Sequence, residues 1–218
     1  MKTLILCDVH LWEKESNVPA VLMVLTRVSP GCDIVVLNGD SVSNTDLPPE
    51  HYLVVSLLRR LRDDGKLIIV RGNHDPDEEN RYVGMKTVES YEWQSGGKRF
   101  RAIHGHQFDP WHGLFFHWAV DWLFLFCFWI LKVMCIGGDN WRKTHANRIK
   151  IGALNSAKEN EERKKVDVII CGHAHVAEYT ICRRRGIRYV NGGHFKDGEA
   201  TFVIEEDGAI QLHSITPD

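Results

Sequence analysis

Five short loops that carry histidine and aspartate constrain the fold of this chain more than any other feature. Each loop directly follows an apolar run with the length and composition of a buried β-strand. In chain order the loops contribute Asp8 and His10, then Asp40, then Asn73, His74 and Asp75, then His104 and His106, and finally His173 and His175. These residue types supply the oxygen and nitrogen ligands of divalent first-row metals. Because loops at neighbouring strand ends share one sheet edge, the pattern predicts a single site for two metal ions.

The first half of the chain alternates strand and helix patterns, which indicates an α/β fold. Buried strands are predicted at 4–7, 34–37 and 67–70, and amphipathic helices at 18–28 and 50–62. This β-α-β-α-β order favours parallel strands in a sheet that is covered on both faces.

The second half carries more strand patterns. Gly96-Gly97 indicates a hairpin between strands at 87–93 and 99–104, and another buried strand is predicted at 166–171. Four further runs are expected to close the fold as an antiparallel set, at 179–183, 188–190, 201–204 and 210–214.

Composition fits one soluble globular domain over residues 1–218. With 27 Lys and Arg against 29 Asp and Glu, the net charge of −2 gives no overall attraction to nucleic acid or anionic membrane. Any such partner must therefore meet a local basic patch. The six cysteines have no paired spacing and no Cys-x-x-Cys, so we expect reduced thiols in a cytoplasmic protein.

The residue types at the loops also indicate a chemistry. Two metal ions about 3.5–4 Å apart can clamp a phosphoryl group and generate hydroxide from bound water near neutral pH. Such close cations repel each other and need a shared anionic ligand. Asp40 follows a strand and a glycine, so its carboxylate can project from a tight turn. We therefore assign Asp40 as the bridging ligand and predict hydrolysis of a phosphoester.

In this order and spacing, the five blocks resemble the calcineurin-like metallophosphoesterases over residues 8–175. The resemblance implies a four-layer αββα sandwich, in which two mixed β-sheets are flanked by helices. It assigns one metal ion to Asp8, His10, Asp40 and His175, and the other to Asp40, Asn73, His104 and His173.

The same resemblance implies catalytic roles. A metal-bridging hydroxide would attack phosphorus, with Asn73 and His173 beside the phosphoryl oxygens, and His74 would protonate the leaving group as general acid. We expect Asp75 to orient the His74 imidazole and to hold it protonated, because a nearby carboxylate favours the charged form.

Residues 110–165 interrupt the pattern and are predicted to form an inserted helical lid. Phe115, Trp118, Trp122 and Trp129 recur at helical spacing within it. A single membrane crossing is excluded, because His104 and His173 lie on either side and must ligate one metal. We therefore expect residues 111–136 to contact a membrane surface or an amphiphile. Packing in the core or against a second copy of the chain stays open.

This core with a helical insertion between the fourth and fifth blocks is similar to the UDP-2,3-diacylglucosamine hydrolases. That resemblance implies cleavage of a lipid-linked pyrophosphate at the cytoplasmic membrane face, with manganese as the metal. Nitrogen and oxygen ligands also suit iron, zinc or cobalt. The resemblance places Asn147 and Lys150 against substrate, and Arg142 is positioned in the sequence to meet a phosphate. Two departures leave the substrate open: His74 stands where that family typically has arginine, and residues 41–44 lack its acidic side chains.

Two other functions remain open at this point. A soluble phosphodiesterase or nuclease of the same fold would use the cluster of Arg183, Arg184, Arg185 and Arg188 to bind nucleic acid. A non-enzymatic interaction module is disfavoured by the complete ligand set.

The sequence does not indicate the oligomeric state. Four histidines outside the blocks are expected to be ordinary core or surface residues, namely His51, His117, His194 and His213.

Overall fold

A computed structural model of the protein describes residues 1–76, 79–109, 138–158, 165–196 and 198–215. Within these ranges the strands are β1 (Lys2–Leu6), β2 (Ile34–Asn38), β3 (Leu67–Val70), β4 (Glu79–Asn80), β5 (Met85–Lys86), β6 (Tyr91–Ser95), β7 (Lys98–Ala102), β8 (Val168–Cys171), β9 (Glu178–Cys182), β10 (Ile187–Asn191), β11 (Phe195–Lys196), β12 (Glu199–Glu206) and β13 (Ala209–Ile215). The α-helices are α1 (Val18–Met23), α2 (Tyr52–Asp63) and α3 (Gly138–Ser156). A π-helical turn (Val24–Val28) and a 3₁₀ turn (Ser29–Gly31) continue α1, and a 3₁₀ turn (Pro49–His51) precedes α2.

The first sheet has the order β11-β12-β1-β2-β3, with β13 also paired to β12. Strands β1, β2 and β3 are parallel, as the alternating strand and helix patterns predict. Helix α1, the turn that continues it and helix α2 cover its outer face through apolar stripes that include Val21, Val24, Val54 and Leu58, all of them buried. Burial of each such side chain contributes about 1.5–3 kcal/mol. This packing holds the helical segments predicted at 18–28 and 50–62 against the sheet.

The second sheet has the order β6-β7-β8-β10-β9, in which β7, β8 and β10 are parallel. Its inner face packs on the first sheet through residues such as Phe100, Ile170 and Val190. Its outer face is covered by α3 through Ala153 and Leu154. The two sheets and the helices outside them form four layers, so the predicted αββα architecture is confirmed.

One expectation about the sheets changes. The four closing strands do not form one antiparallel set, because β9 and β10 belong to the second sheet while β12 and β13 belong to the first. Strand β10 also runs parallel to β8, since the chain crosses back through the loop at 172–177 before it turns at 183–186. The predicted helical lid at 110–165 is described at 138–158, where α3 packs on the outer face of the second sheet and on the loop that carries Ala174, and the lid stays a prediction. The aromatic part of the insertion, residues 110–137, lies outside the described residues.

The carboxyl ends of β1, β2, β3, β7 and β8 meet at one edge of the sandwich. Backbone hydrogen bonds join their loops there, from Asp8 N to Gly39 O and from Gly172 N to His104 O. The two sheets are tied at the same edge by Asn38, whose side-chain amide donates to the carbonyls of Ile103 and Ile170. Hydrogen bonds within the protein therefore hold the loops of this edge in place. Among the described residues, none of the helices combines the length and hydrophobicity needed to cross a membrane.

Candidate metal centre

Backbone strain is concentrated in the predicted ligands. Left-handed φ angles occur at Asp8 (49°), His10 (50°), Asp40 (47°), His173 (65°) and His175 (53°), and elsewhere in the described chain only Asp207 among non-glycine residues has one. This conformation costs of order 1–3 kcal/mol per residue and persists where surrounding structure enforces it. All five of these strained residues belong to two groups of candidate metal ligands. Their strained backbone therefore favours a functional site.

Two loop glycines are required by close approach of candidate ligands. A Cβ atom on Gly172 would lie 2.3 Å from Asp8 Oδ2, and one on Gly72 would lie 2.2 Å from Asp40 Oδ1. Neither position can hold a side chain without displacing a carboxylate. The glycines of the third and fifth blocks therefore let the loops of different strands pack together.

Asp8, His10 and His175 form the first cluster. The Nε2 atoms of the two histidines lie 3.1 Å apart, and they are 3.8 Å (His10) and 3.3 Å (His175) from Asp8 Oδ1. Asp8 is fully buried, and its Oδ1 accepts no hydrogen bond within the described chain. A buried carboxylate oxygen without a donor is costly unless a cation meets it. The donor set therefore fits a divalent metal.

Asp40, His104 and His173 form the second cluster, with ligand atoms within 4.8 Å of one another. His104 Nε2 lies 3.5 Å from Asp40 Oδ2 and 3.2 Å from the Oδ1 of Asn73. His104 Nδ1 lies 3.2 Å from the Asn38 carbonyl oxygen, so an Nδ1 proton donated there leaves the Nε2 lone pair for a metal. His104 Nε2 is also 4.0 Å from Asp8 Oδ1, which places the two clusters side by side.

The charges of the centre are strongly coupled. Burial opposes ionisation of Asp40, but His104 and the backbone amide of His74 outweigh it and lower the pKa of the carboxyl. Burial likewise opposes the charged form of His104, yet Asp8 and Asp40 raise its pKa to about 9. His173 has a lowered pKa because burial and the nearby His104 disfavour its cation. The carboxylates are thus anionic at neutral pH, as metal ligands must be.

His74 and Asp75 occupy different environments. His74 is exposed at the mouth of the site, where its ring centroid lies 5.5 Å from that of Trp12 and its backbone amide donates to Asp40 Oδ1. Asp75 is buried and accepts hydrogen bonds from the amides of Ser41 (2.9 Å), Val42 (3.2 Å) and Gly72 (2.8 Å). The orienting role predicted for Asp75 finds no support in these contacts. Its carboxylate joins two ligand loops instead, because the tight turn after Gly72 directs it inward.

The sequence did not single out Glu13 as part of the centre. Glu13 Oε1 lies 3.1 Å from His10 Nδ1, and Lys196 forms an ion pair with the other carboxylate oxygen. Its position three residues after His10 is the feature of the sequence that could have identified it. The ring of His194 stacks at 5.1 Å on that of His175, and its expected role as an ordinary residue stays a prediction. His51 is an ordinary core residue, buried and hydrogen-bonded to the Leu11 carbonyl.

The predicted substrate residues on α3 are not equally placed. Arg142 and Asn147 are exposed, whereas Lys150 is half-buried and pairs with Glu178 at 2.7 Å. Helical spacing puts Arg142 on the same stripe as buried Ile149 and puts Asn147 on the opposite side of the helix. This spacing places Arg142 nearer to the packed face of α3 than Asn147.

The calcineurin-like phosphoesterase family matches residues 1–177 of the chain. No curated protein gives a significant match. Among solved structures, YfcE, a phosphoesterase from E. coli, is 20% identical with a TM-score of 0.53, and the match covers 99% of each chain. Vps29 from Entamoeba histolytica, complexed with zinc, is 18% identical with a TM-score of 0.52 over 99% of this chain and 98% of that one. Vps29 from Chaetomium thermophilum is 14% identical with a TM-score of 0.50 over the whole of both chains. At these identities the structures support the fold alone.

Proposed function

Because the chain belongs to the calcineurin-like phosphoesterase family and is a metal-dependent phosphoesterase, we propose that it cleaves a phosphoester or pyrophosphate bond in an amphipathic, lipid-linked substrate. The observation that carries the hydrolytic part is the pair of adjoining ligand clusters at one sandwich edge. The lipid part rests on the sequence, because an aromatic insertion lies between the fourth and fifth blocks.

We propose that one divalent ion is held by Asp8, His10, Asp40 and His175, and the other by Asp40, Asn73, His104 and His173, with manganese as the metal. Bound there, two such ions would polarise phosphoryl oxygens and lower the pKa of water. The orphaned Oδ1 of Asp8 and the carbonyl-fixed ring of His104 support this assignment.

The chain's own residues would position the substrate and move a proton. Asn73 and His173 would face the phosphoryl oxygens next to the second cluster. His74 is exposed at the mouth of the site, so its ring can approach a leaving oxygen and donate a proton to it. The inward direction of Asp75 means that His74 has to be oriented by other neighbours, such as the Trp12 ring.

The helix α3 favours a substrate that extends beyond the phosphate. Its C-terminal end is tied to the second sheet by Arg101, which donates to the Ser156 carbonyl, and its N-terminal half reaches the metal edge. We propose that Arg142 meets a second phosphate or an anionic headgroup, while Asn147 and Lys150 are weaker candidates. The apolar run at 122–131 just before α3 would accept the acyl end, which favours a peripheral location at the cytoplasmic membrane face.

A nuclease function is the second candidate, since no carboxylate in the described chain forms an ion pair with the arginines at 183–185 and 188. Strand β9 leaves the metal edge at Glu178, however, and reaches the turn at 183–186 on the opposite edge. Five strand residues span roughly 16 Å. A nucleic acid bound at this turn would therefore not lie directly in the centre, which favours the lipid substrate.

The test is a manganese-dependent screen of UDP-linked lipids, phospholipids, nucleotides and single-stranded DNA, read by phosphorus NMR. We expect turnover of an amphipathic substrate, stimulated by detergent or liposomes and lost in Asp40→Ala. The matched control is Asp46→Ala, which removes an exposed carboxylate six positions later. Turnover restricted to nucleotides or DNA would overturn the lipid substrate.

A further inference from the structure

Asp109 places a carboxylate between two imidazoles at the border of the metal centre. Its Oδ2 lies 3.0 Å from His173 Nε2, on the loop after β8, and 3.7 Å from His145 Nε2, on α3. All three side chains are largely buried. His173 is a proposed metal ligand, while neither Asp109 nor His145 belongs to the predicted ligand set.

We infer that Asp109 is a positioning residue that fixes the tautomer and ring orientation of His173. A neutral imidazole carries one N–H, and a carboxylate at hydrogen-bond distance from Nε2 draws the proton to that atom. The lone pair then resides on Nδ1, which is left to bind the metal of the second cluster. This inference rests on the proposed function, in which His173 ligates that metal.

The backbone of His173 is held in place by other contacts, so the orientation of its ring is what Asp109 can set. Its backbone has a left-handed φ of 65°, and its amide donates to Asp8 Oδ2 at 2.8 Å. Those contacts set the direction of the Cα–Cβ bond but not the rotation of the ring. Without Asp109, the ring is free to turn Nδ1 away from the metal, and the proton can reside on either ring nitrogen. Histidine ligands of metals commonly use a carboxylate at the second nitrogen for this purpose.

The packing of α3 explains why Asp109 is in place. A 3₁₀ turn (His106–Phe108) directly precedes it. Phe108 packs so closely on α3 that a Cβ atom on Gly152 would lie 2.6 Å from the Phe108 Cβ. The same helix brings His145 to the Asp109 carboxylate. The outer helix of the second sheet thus reaches the second cluster through one carboxylate.

The experiment uses the full-length protein and two readouts. Long-range ¹H–¹⁵N NMR of the metal-free protein reports the tautomer of His173, and titration calorimetry with Mn²⁺ reports the affinity of each metal. We expect the Nε2–H tautomer in the wild type and a mixture of tautomers in Asp109→Ala. One of the two Mn²⁺ affinities should fall by about 10- to 100-fold and the other should stay unchanged.

Asp109→Asn serves as the conservative variant, because its side-chain oxygen still accepts a hydrogen bond from Nε2–H. It should restore the tautomer and recover part of the affinity. The matched control is Asp46→Asn, which alters an exposed carboxylate that pairs with Arg81 and belongs to neither cluster. That control should leave both Mn²⁺ affinities unchanged.

Two results would overturn the inference. One is an Asp109→Ala protein with the wild-type tautomer and both wild-type affinities. The other is a wild type that binds a third Mn²⁺ equivalent which Asp109→Ala loses, since Asp109 would then be a ligand itself. A wild type that binds no divalent metal would instead contradict the proposed function. The tautomer measurement is made without metal and tests Asp109 in either case.

Discussion

The first cluster (Asp8, His10, His175) and the second cluster (Asp40, His104, His173) differ in what surrounds their histidines. His175 is 35% exposed, whereas His104 is fully buried. His10 Nδ1 faces the Glu13 side chain, and His104 Nδ1 faces the backbone carbonyl of Asn38. The first cluster therefore has one solvent-exposed histidine, and its His10 is supported by a replaceable side chain. In the second cluster, His104 is enclosed by the core and supported by backbone.

The largest expected effect is the loss of both clusters in a single variant. Asp40→Ala should abolish Mn²⁺ binding at both clusters and reduce hydrolysis below detection, because Asp40 is the proposed shared ligand. Calorimetry and hydrolysis of bis-p-nitrophenyl phosphate measure the two effects. Asp46→Ala, at an exposed carboxylate, should retain both properties. Full activity of Asp40→Ala would contradict the ligand assignment.

Removing one histidine from each cluster should lower the free energy of unfolding by different amounts. His104→Ala leaves the buried carboxylates of Asp8 and Asp40 without their cationic partner, which typically costs about 3–5 kcal/mol. His175→Ala should cost less, because its side chain is partly exposed. Urea unfolding of the metal-free proteins measures the difference. Equal losses would mean that the two clusters are enclosed to the same degree.

Replacement of His74, the proposed proton donor, should lower the rate without loss of metal from either cluster. His74→Ala should keep two bound Mn²⁺ ions and lower kcat by about 10²- to 10⁴-fold, because only general-acid catalysis is removed. The effect should shrink for substrates whose leaving group needs no proton. Metal stoichiometry and kcat with p-nitrophenyl and alkyl esters check this. Loss of metal with His74→Ala would make the residue part of the ligand structure instead.

The smallest predicted effect tests the side-chain support of the first cluster. Glu13→Gln should weaken the binding of one Mn²⁺ by about tenfold, since the carboxylate 3.1 Å from His10 Nδ1 loses its charge. The second cluster should be unaffected, because Asn38 supports His104 through its backbone. Calorimetry resolves the two affinities. An equal loss at both metals would show that Glu13 acts on the whole centre and not on His10 alone.

The sequence predicted the ligand loops because their chemistry is local. A short apolar run followed by Asp-Val-His or by Gly-Asn-His-Asp identifies a strand end and its side chains without reference to the remaining fold. The strand at 67–70 and the parallel direction of the first three strands followed from the same local pattern. The membership of β10 and β12 in different sheets did not, because strand pairing depends on contacts between distant segments.

Contacts across the fold decided what the loops alone left open. Asp75 is next to His74 in the chain, yet its carboxylate serves the amides of Ser41 and Gly72. Asp109 lies 64 residues before His173 but meets its ring. The sequence therefore determined which side chains are chemically able to bind metal and at which strand ends they lie. The tertiary structure decided their partners, because burial brings separate segments within hydrogen-bond distance and each buried charge must be matched by whatever group arrives there.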